Sequence, residues 1–336
     1  MNELATKPRV AVIGCGAWGR NLARCFATLG VLDAVVDPNP QVLDSLVALF
    51  GCRAASLDEV LADPAIEAVA VATPPSLHRQ VAEAAFAAGK HVYVEKPLTL
   101  DYPDALAVAE AGRAAGRVLM TGHILQFHNG FRALKILVAE GRLGEVRRIH
   151  ATRLNLGAVR REEDALWCLA PHDVSMTLAL MSGAPERVEA FGEGHLRRET
   201  ADAVTMRLGF PGGAQAVIHV SWLHPFKEHR LTVIGSKAMA VFDDCLPWDR
   251  KVQIYPHQVS LDGGAPTVVR AEPVPVEIEQ AEPLMAECAH FLDCIREKRE
   301  PITGTLEALA VMDVLARAAR AMSDEAEARA PKRASA

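Results

Sequence analysis

The sequence lacks three features that would each indicate a particular class of protein. It has no long run of lysine and arginine and its formal net charge is −6, so we expect no nucleic-acid partner. No uninterrupted apolar stretch reaches the roughly 18 residues that a membrane span needs. The opening residues, MNELATKPRVAVIG, do not have the layout of a signal peptide. We therefore expect no membrane association and a cytoplasmic location.

Disulfide and metal-site patterns are also missing. The seven cysteines are odd in number and include no CxxC pair, so we expect reduced and mostly buried thiols. His219, His224 and His229 follow one another at intervals of five residues. Ligands on a strand need even spacing and ligands on a helix a spacing of three or four, so no metal is expected.

The length and the apolar content predict two domains. The chain has 336 residues, of which 50% are hydrophobic, which is enough for a large core. In the first 120 residues, short apolar runs at 9–13, 32–36, 68–72, 91–94 and 118–121 alternate with helical patterns. Such strands are typical of a doubly wound parallel sheet covered on both faces, that is, a Rossmann-type α/β domain over residues 1–123.

The pattern of apolar residues changes after residue 122. Period-two alternation at 145–154, 187–192, 203–208, 215–221 and 230–234 predicts strands with one buried face. Helices are expected at 131–140, 172–181, 284–298 and 305–322. We predict an α+β domain over residues 124–322 with a large, mainly antiparallel open sheet. Its last helices are candidates for packing back on the first domain, and residues 323–336 are expected to form a flexible tail.

A glycine motif lies between the first strand and the first helix. Gly14, Gly16 and Gly19 form the pattern GxGxxG. In this position the first glycine permits a tight turn, the second lets a pyrophosphate approach the backbone, and the third lets the helix pack on the strand. Ala17 and Trp18 begin the helix, whose free N–H groups favour phosphate.

An acidic residue follows at the expected distance. Asp37 ends the second strand, eighteen residues after Gly19. A carboxylate there accepts hydrogen bonds from ribose hydroxyls and repels a 2′-phosphate. The sequence therefore predicts NAD as the cofactor, in preference to NADP.

Two further segments end predicted strands. Residues 72–78 read ATPPSLH, and the next strand ends at Glu95-Lys96-Pro97. Ligands of doubly wound sheets lie outside the carboxyl ends of the strands. The residues expected to line the cofactor cleft are Thr73, Pro74, His78 and Glu95, with Gln126 against the nicotinamide amide or the substrate.

These motifs together resemble the glucose-fructose oxidoreductase, inositol dehydrogenase and MocA (Gfo/Idh/MocA) family. The resemblance implies that Lys96 is the catalytic lysine, that the Lys96–Pro97 peptide is cis, and that the chain forms a homodimer or homotetramer through the sheet of the second domain. It also implies a catalytic histidine in a D-x-x-x-H pattern, which His172 matches. Cys168 stands where many members have the aspartate, so Asp173 is the alternative for orienting the imidazole.

An arginine-rich block precedes His172. Five arginines occur between residues 146 and 161, and we expect Arg153, Asn155, Arg160 and Trp167 to contact the substrate. Guanidinium groups suit a diphosphate or a carboxylate, although the block also fits a solvated charged loop. The block further resembles a branch of the family, the UDP-N-acetylglucosaminuronate 3-dehydrogenases.

The most economical interpretation is a dehydrogenase that oxidises a sugar hydroxyl, C3 of a nucleotide sugar, to a ketone. His172 acts as general base and Lys96 stabilises the alkoxide. Two alternatives stay open: an inositol or free-sugar dehydrogenase or 3-ketoreductase of the same family, and a non-catalytic NAD-binding sensor.

Overall fold

The computed structural model describes residues 7–157, 159–161, 163–181, 183–197, 199–260 and 264–329. It divides into two compact units. Unit 1 comprises the chain up to Phe127 together with Glu282–Met312, and unit 2 comprises His128–Ala281 together with the chain from Asp313. The division of function between residues 1–123 and 124–322 stays a prediction.

The strands, in chain order, are β1 Arg9–Ile13, β2 Leu32–Val36, β3 Arg53–Ala54, β4 Ile66–Val71, β5 His91–Val94, β6 Leu119–Thr121, β7 Val146–Leu156, β8 Arg187–Glu193, β9 Ala203–Gly209, β10 Gln215–Ser221, β11 Leu223–Gly235, β12 Met239–Asp243, β13 Val252–Tyr255, β14 Gln258–Ser260, β15 Thr267–Val269 and β16 Val274–Pro275. The helices are α1 Ala17–Thr28, α2 Pro40–Phe50, α3 Leu57–Ala62, α4 His78–Ala87, α5 Tyr102–Ala115, α6 Asn129–Ala139, α7 Ala165–Leu180, α8 Pro283–Glu297 and α9 Thr305–Arg329.

Unit 1 is a six-stranded parallel sheet in the order β3-β2-β1-β4-β5-β6. The strand order reverses between β1 and β4, and ligands of such sheets lie at that switch point, outside the carboxyl ends of the strands. Four of the five residues of β1 are buried, as expected for a strand covered on both faces. Leu284, Cys288 and Phe291 of α8 lie in the core of this unit with Phe26 of α1.

Unit 2 is built on an eight-stranded sheet in the order β16-β13-β12-β11-β7-β10-β9-β8. Of the neighbouring pairs, β7 and β10 are parallel and the others are antiparallel. Buried and partly exposed residues alternate along β9 and β10. This confirms the predicted mainly antiparallel sheet, and α7 packs against β7, β9 and β10.

Three element boundaries differ from the prediction by seven residues, and the other differences are smaller. Helix α7 begins at Ala165 instead of residue 172, because Asp164 accepts a hydrogen bond from the Trp167 N–H (3.1 Å) and caps the helix. Pro171 therefore lies inside the helix, which tolerates the loss of one backbone hydrogen bond. Strand β11 begins at Leu223, and its pairing with β7 is irregular before Glu228.

The third difference concerns the carboxyl end. Helix α9 continues to Arg329, beyond the predicted end at residue 322. Residues 330–336 lie outside the described part of the chain, so a flexible tail there stays a prediction.

Candidate active site

The glycine motif forms a tight loop between β1 and α1. Gly14 has φ +85°, and a Cβ on it would lie 2.7 Å from the backbone of Ala72. A Cβ on Gly19 would lie 1.9 Å from the Gly14 carbonyl oxygen. Gly16, in contrast, has no atom within 4 Å of its Cβ position. Two glycines therefore permit close packing, and the third keeps an open space beside the first N–H groups of α1, which include those of Ala17 and Trp18.

Asp37 braces this loop from the end of β2. Its Oδ2 accepts a hydrogen bond from the Cys15 N–H (2.7 Å), and its Oδ1 accepts one from the Asn39 N–H (2.9 Å). The side chain is half-buried, and each carboxylate oxygen can accept a second hydrogen bond. Asp37 is thus able to receive ribose hydroxyls while it holds the glycine loop.

His78 joins the loops that follow β4 and β5. Its Nδ1 lies 2.9 Å from the Pro97 carbonyl oxygen and its Nε2 lies 3.0 Å from that of Thr73. Only 1% of the residue is exposed, and burial lowers the pKa of its imidazole. His78 therefore acts on the cleft by fixing two loops, and its direct contact with the cofactor stays a prediction.

Glu95 connects the glycine motif to the lysine. Trp18 Nε1 donates a hydrogen bond to Glu95 Oε1, which lies 3.1 Å from the Tyr93 hydroxyl. Burial raises the pKa of Glu95 to about 7, whereas the Lys96 charge and the Trp18 and Tyr93 hydrogen bonds act in the opposite direction. The first turn of α1 and the segment after β5 are therefore held together at one edge of the sheet.

Lys96 follows Glu95 and is partly exposed. The Lys96–Pro97 peptide is cis, as the resemblance implies. Pro74 is exposed in the loop after β4, and the neighbouring Thr73 has a buried Oγ1 without a hydrogen-bond partner in the protein. Gln126 is buried in a short 3-10 turn after β6.

These features fit a dinucleotide. The open space at Gly16 would be filled by a Cβ in any other residue. The N-terminus of α1 favours phosphate. The buried Thr73 hydroxyl has no hydrogen-bond partner in the protein and can bind a polar ligand atom. Gly14, Gly16, Gly19, Asp37 and Thr73 would hold NAD.

In unit 2, the predicted substrate residue Arg153 is engaged in a buried ion pair. Its Nε donates to Asp173 Oδ2 at 2.7 Å and its Nη2 donates to Oδ1 at 3.2 Å. The side chains are only 8% and 1% exposed. Asp173 thus neutralises Arg153, and its bidentate pairing differs from the role of orienting His172 that the sequence suggested.

His229 is a candidate that the sequence analysis set aside. Strand pairing places it opposite Arg153, whose Nη1 lies 3.4 Å from His229 Nδ1. Burial and the Arg153 charge lower the pKa of His229 to about 3, so the imidazole is neutral. Because a guanidinium only donates, Nδ1 is the acceptor and Nε2 carries the proton. Nε2 is buried without a protein partner, and so is Asn155 Oδ1 on β7.

An unpaired buried donor and an unpaired buried acceptor in one unit are expected where a polar ligand binds. The sequence offered His229 only as the last of three histidines at intervals of five residues, a spacing that fits no metal site. The pairing of β11 with β7 was needed to find it.

The other predicted site residues of unit 2 are spread over one loop and one helix. Arg160 has a 56% exposed side chain, 3.7 Å from Glu163. Trp167 lies in the first turn of α7 and is partly exposed. His172 lies about two turns after the start of α7, also partly exposed, and Cys168 is buried one turn before it. Their contacts with substrate stay predictions.

The structure also bears on the other classes of function. None of the seven cysteines, all of which lie in the described part of the chain, forms a disulfide, and six of them are buried. Among the described residues, no group of three or more His, Cys, Asp or Glu side chains could hold a metal ion. No helix in the described ranges is both long enough and apolar enough to cross a membrane.

Two family models match this chain, one in each of its two main parts. Residues 8–123 match a family model described as an oxidoreductase family with an NAD-binding Rossmann fold, and residues 131–241 match the GFO/IDH/MocA C-terminal domain. The UDP-N-acetylglucosamine 3-dehydrogenase of Acidithiobacillus ferrooxidans is 31% identical over 87% of this chain and 90% of its own. A solved structure under that name and from the same organism has a TM-score of 0.82 at 28% identity, over 94% of this chain and 97% of the other.

A third relative has a different named substrate. The inositol 2-dehydrogenase of Rhizobium meliloti is 27% identical over 71% of this chain and 76% of its own. The two family models, the glycine loop and the lysine segment agree: this chain belongs to the Gfo/Idh/MocA family of NAD-binding oxidoreductases.

Proposed function

We propose that this protein is an NAD-dependent dehydrogenase that oxidises a hydroxyl group of a nucleotide sugar of the UDP-N-acetylglucosamine type to a ketone. The observation that carries the proposal is the link from Trp18 to Glu95, which holds the glycine loop and the Lys96 segment at one edge of the parallel sheet. A dinucleotide cradle and a basic group that can act on a hydroxyl oxygen are thereby built into the same unit.

Each catalytic role follows from the chemistry of alcohol oxidation. The carbon must lose a hydride and the oxygen a proton, and bound NAD supplies the hydride acceptor. We assign Lys96 to hold the substrate oxygen and stabilise its developing negative charge. His172 is the general base that takes the hydroxyl proton.

Unit 2 supports a polar, hydroxyl-rich substrate. The His229 Nε2–H donor and the Asn155 Oδ1 acceptor have no protein partners and are suited to sugar hydroxyls. A uronate was favoured by the arginines of the sequence, but Arg153 already has the Asp173 carboxylate as its partner. The relative from A. ferrooxidans is named for UDP-N-acetylglucosamine, which has no carboxylate. We therefore place the neutral sugar first and the uronate second.

The experiment is a measurement of NADH absorbance with the purified protein, NAD and one substrate at a time: UDP-N-acetylglucosamine, its C6 uronate, myo-inositol or glucose. We expect NADH and a product lighter by two hydrogen atoms with UDP-N-acetylglucosamine. Turnover only with the uronate would show that the enzyme requires a carboxylate on the sugar. Turnover only with inositol or glucose would replace the nucleotide sugar by the substrate class of the inositol relative. NAD binding without any turnover would support the sensor alternative.

Two variants test the assigned lysine. Lys96→Met should lower turnover by a factor of about 10² or more with NAD affinity nearly retained, because the lost interaction acts on the alkoxide. The exposed Lys237, replaced by methionine, is the matched control and should keep wild-type turnover. Equal turnover of the two variants would remove Lys96 from the mechanism.

The assembly is a separate proposal. We propose a homodimer or homotetramer formed through the eight-stranded sheet, as the family resemblance implies. Light scattering coupled to gel filtration measures the number of chains, and a monomeric mass would refute it.

A further inference from the structure

Three buried side chains form a hydrogen-bonded chain behind Glu95 in unit 1. The Tyr93 hydroxyl oxygen lies 3.1 Å from Glu95 Oε1 and 3.0 Å from Glu287 Oε2. Tyr93 and Glu287 are fully buried and Glu95 is 8% exposed. Gly122 leaves room for them, because a Cβ there would lie 2.6 Å from the Tyr93 hydroxyl.

The number of protons shared by Glu95, Tyr93 and Glu287 limits their possible protonation states. A phenol has one proton, so Tyr93 can donate to only one of the two carboxyl groups. If both carboxyl groups were ionised, the Tyr93 oxygen would donate to one of them. It would then face the other carboxylate oxygen at about 3 Å with no proton between the two. Since such an unpaired buried contact is costly, one of the two carboxyl groups must itself be a donor.

The surroundings select Glu287 as that donor. Glu95 is favoured as an anion, because it accepts from Trp18 Nε1, lies 3.3 Å from the Lys96 N–H and is close to the Lys96 ammonium. Glu287 has no such support, and its Oε1 is buried without a partner.

We propose that Glu287 keeps its proton in the working enzyme and donates it to the Tyr93 oxygen, so that Tyr93 donates to Glu95 and fixes this carboxylate beside Lys96. Glu287 is thus a positioning residue that acts through two others. It does not touch substrate or cofactor. Its effect on Lys96 rests on the proposed function, whereas its protonation does not.

The titratable groups around Glu287 are consistent with a neutral acid. Those that act most strongly on it are Glu95 and Tyr93 on the β5 segment, Glu307 on α9 and Cys25 on α1, and its neighbour Cys288 also interacts with it. None of them is a cation, and Glu307 is itself paired with His123. Burial and the neighbouring charge of Glu95 raise the pKa of Glu287 well above its usual range.

The first measurement is infrared spectroscopy of the full-length protein in D2O at about pH 8, one unit above the pKa of Glu95 of about 7. We expect the carbonyl band of a protonated buried carboxyl group in the wild type and its loss in Glu287→Gln. The matched control is Glu282→Gln, an exposed glutamate that precedes α8, which should keep the band. A wild-type spectrum without the band, or a Glu287→Gln spectrum that retains it, would overturn the proposal.

The second measurement is the pH profile of kcat/KM. Because glutamine is neutral and can still donate to Tyr93, Glu287→Gln should leave the acidic limb within about 0.3 pH unit of the wild type. Tyr93→Phe removes a donor to the Glu95 carboxylate and should move that limb upward by roughly half a unit or more. A downward shift in Glu287→Gln would mean that Glu287 is charged in the wild type.

The two measurements separate the possible failures. If the protein turns over none of the sugars, the proposed function fails while the infrared result still decides the protonation of Glu287. If Glu287→Gln does not fold, Tyr93→Phe decides, since an unshifted acidic limb in that variant would contradict the relay.

Discussion

Asp173→Asn should destabilise unit 2 strongly, because it removes the charge that neutralises a buried arginine. The wild-type pair is bidentate, with both side chains almost completely enclosed. Asparagine is about the same size as aspartate and keeps one acceptor oxygen, so no cavity forms. The loss of stability is therefore electrostatic. Leaving one member of a buried pair without its partner costs about 3–5 kcal/mol of the free energy of unfolding. For a domain of this size that corresponds to a fall in Tm of roughly 6–20 °C.

The reverse deletion should depend on pH. Burial raises the pKa of Asp173 even beside Arg153, and Arg153→Met removes the opposing cation. The folded state then holds the Asp173 proton more tightly than the unfolded state, whose pKa is about 3.9. The loss of unfolding free energy in Arg153→Met should therefore be small near pH 4 and grow as the pH rises. Above about pH 4 the Asp173 carboxyl ionises freely in the unfolded state but not in the folded state, so rising pH favours unfolding.

The assay is urea unfolding followed by tryptophan fluorescence, to which Trp167, Trp222 and Trp248 of unit 2 contribute together with Trp18 of unit 1. Far-UV circular dichroism detects separate transitions of the two units. The double variant with Arg153→Met and Asp173→Leu removes both charges and should recover most of the lost stability. A loss below about 1 kcal/mol in Asp173→Asn would refute the reasoning. So would a double variant as unstable as the sum of its own two single variants, Arg153→Met and Asp173→Leu.

Three further predictions concern the two binding regions. Gly19→Ala should lose NAD binding and stability together because its Cβ overlaps the Gly14 carbonyl, whereas Gly16→Ala should lose binding at nearly unchanged Tm; equal Tm values in the two variants would contradict this. Asp37→Asn keeps an acceptor for the glycine loop but not the charge, so the ratio of NADP to NAD affinity, measured by fluorescence titration, should rise about tenfold, and an unchanged ratio would remove the charge from cofactor choice. His229→Phe should raise the substrate KM about tenfold or more at unchanged NAD affinity, through loss of one buried donor. Because the pKa of His229 is about 3, this effect should be the same from about pH 6 to pH 9, and a strong pH dependence would mean that the imidazole is charged when it binds.

Much of unit 1 could be predicted because its signals are local. The glycines at 14, 16 and 19 each have a backbone task within a few residues of themselves, and the apolar strands on either side indicate a sheet covered on both faces. The cis peptide at Lys96–Pro97 was implied by the family resemblance that the Glu95-Lys96-Pro97 motif carries. The mainly antiparallel sheet of unit 2 also followed from local alternation.

The predicted boundaries of α7 and β11 were wrong. The predicted helix at 172–181 begins directly after Pro171, whereas the Asp164 carboxylate caps α7 seven residues earlier. In β11 the irregular pairing before Glu228 interrupts the alternation, so the first half of a thirteen-residue strand was overlooked.

The sequence by itself determined the family, the dinucleotide motif and the two kinds of sheet, because these depend on residue types at fixed short spacings. It also supplied Lys96, His172 and Arg153 as candidates. Only the tertiary structure decided which groups are already paired and which are not. Asp173 reaches Arg153 across 20 residues, and Tyr93 reaches Glu287 across 194. Hydrogen bonds and buried charges are satisfied in space, whatever the separation along the chain, so the free donor of His229 and the proton of Glu287 could be recognised only once strands and helices had brought their neighbours to them.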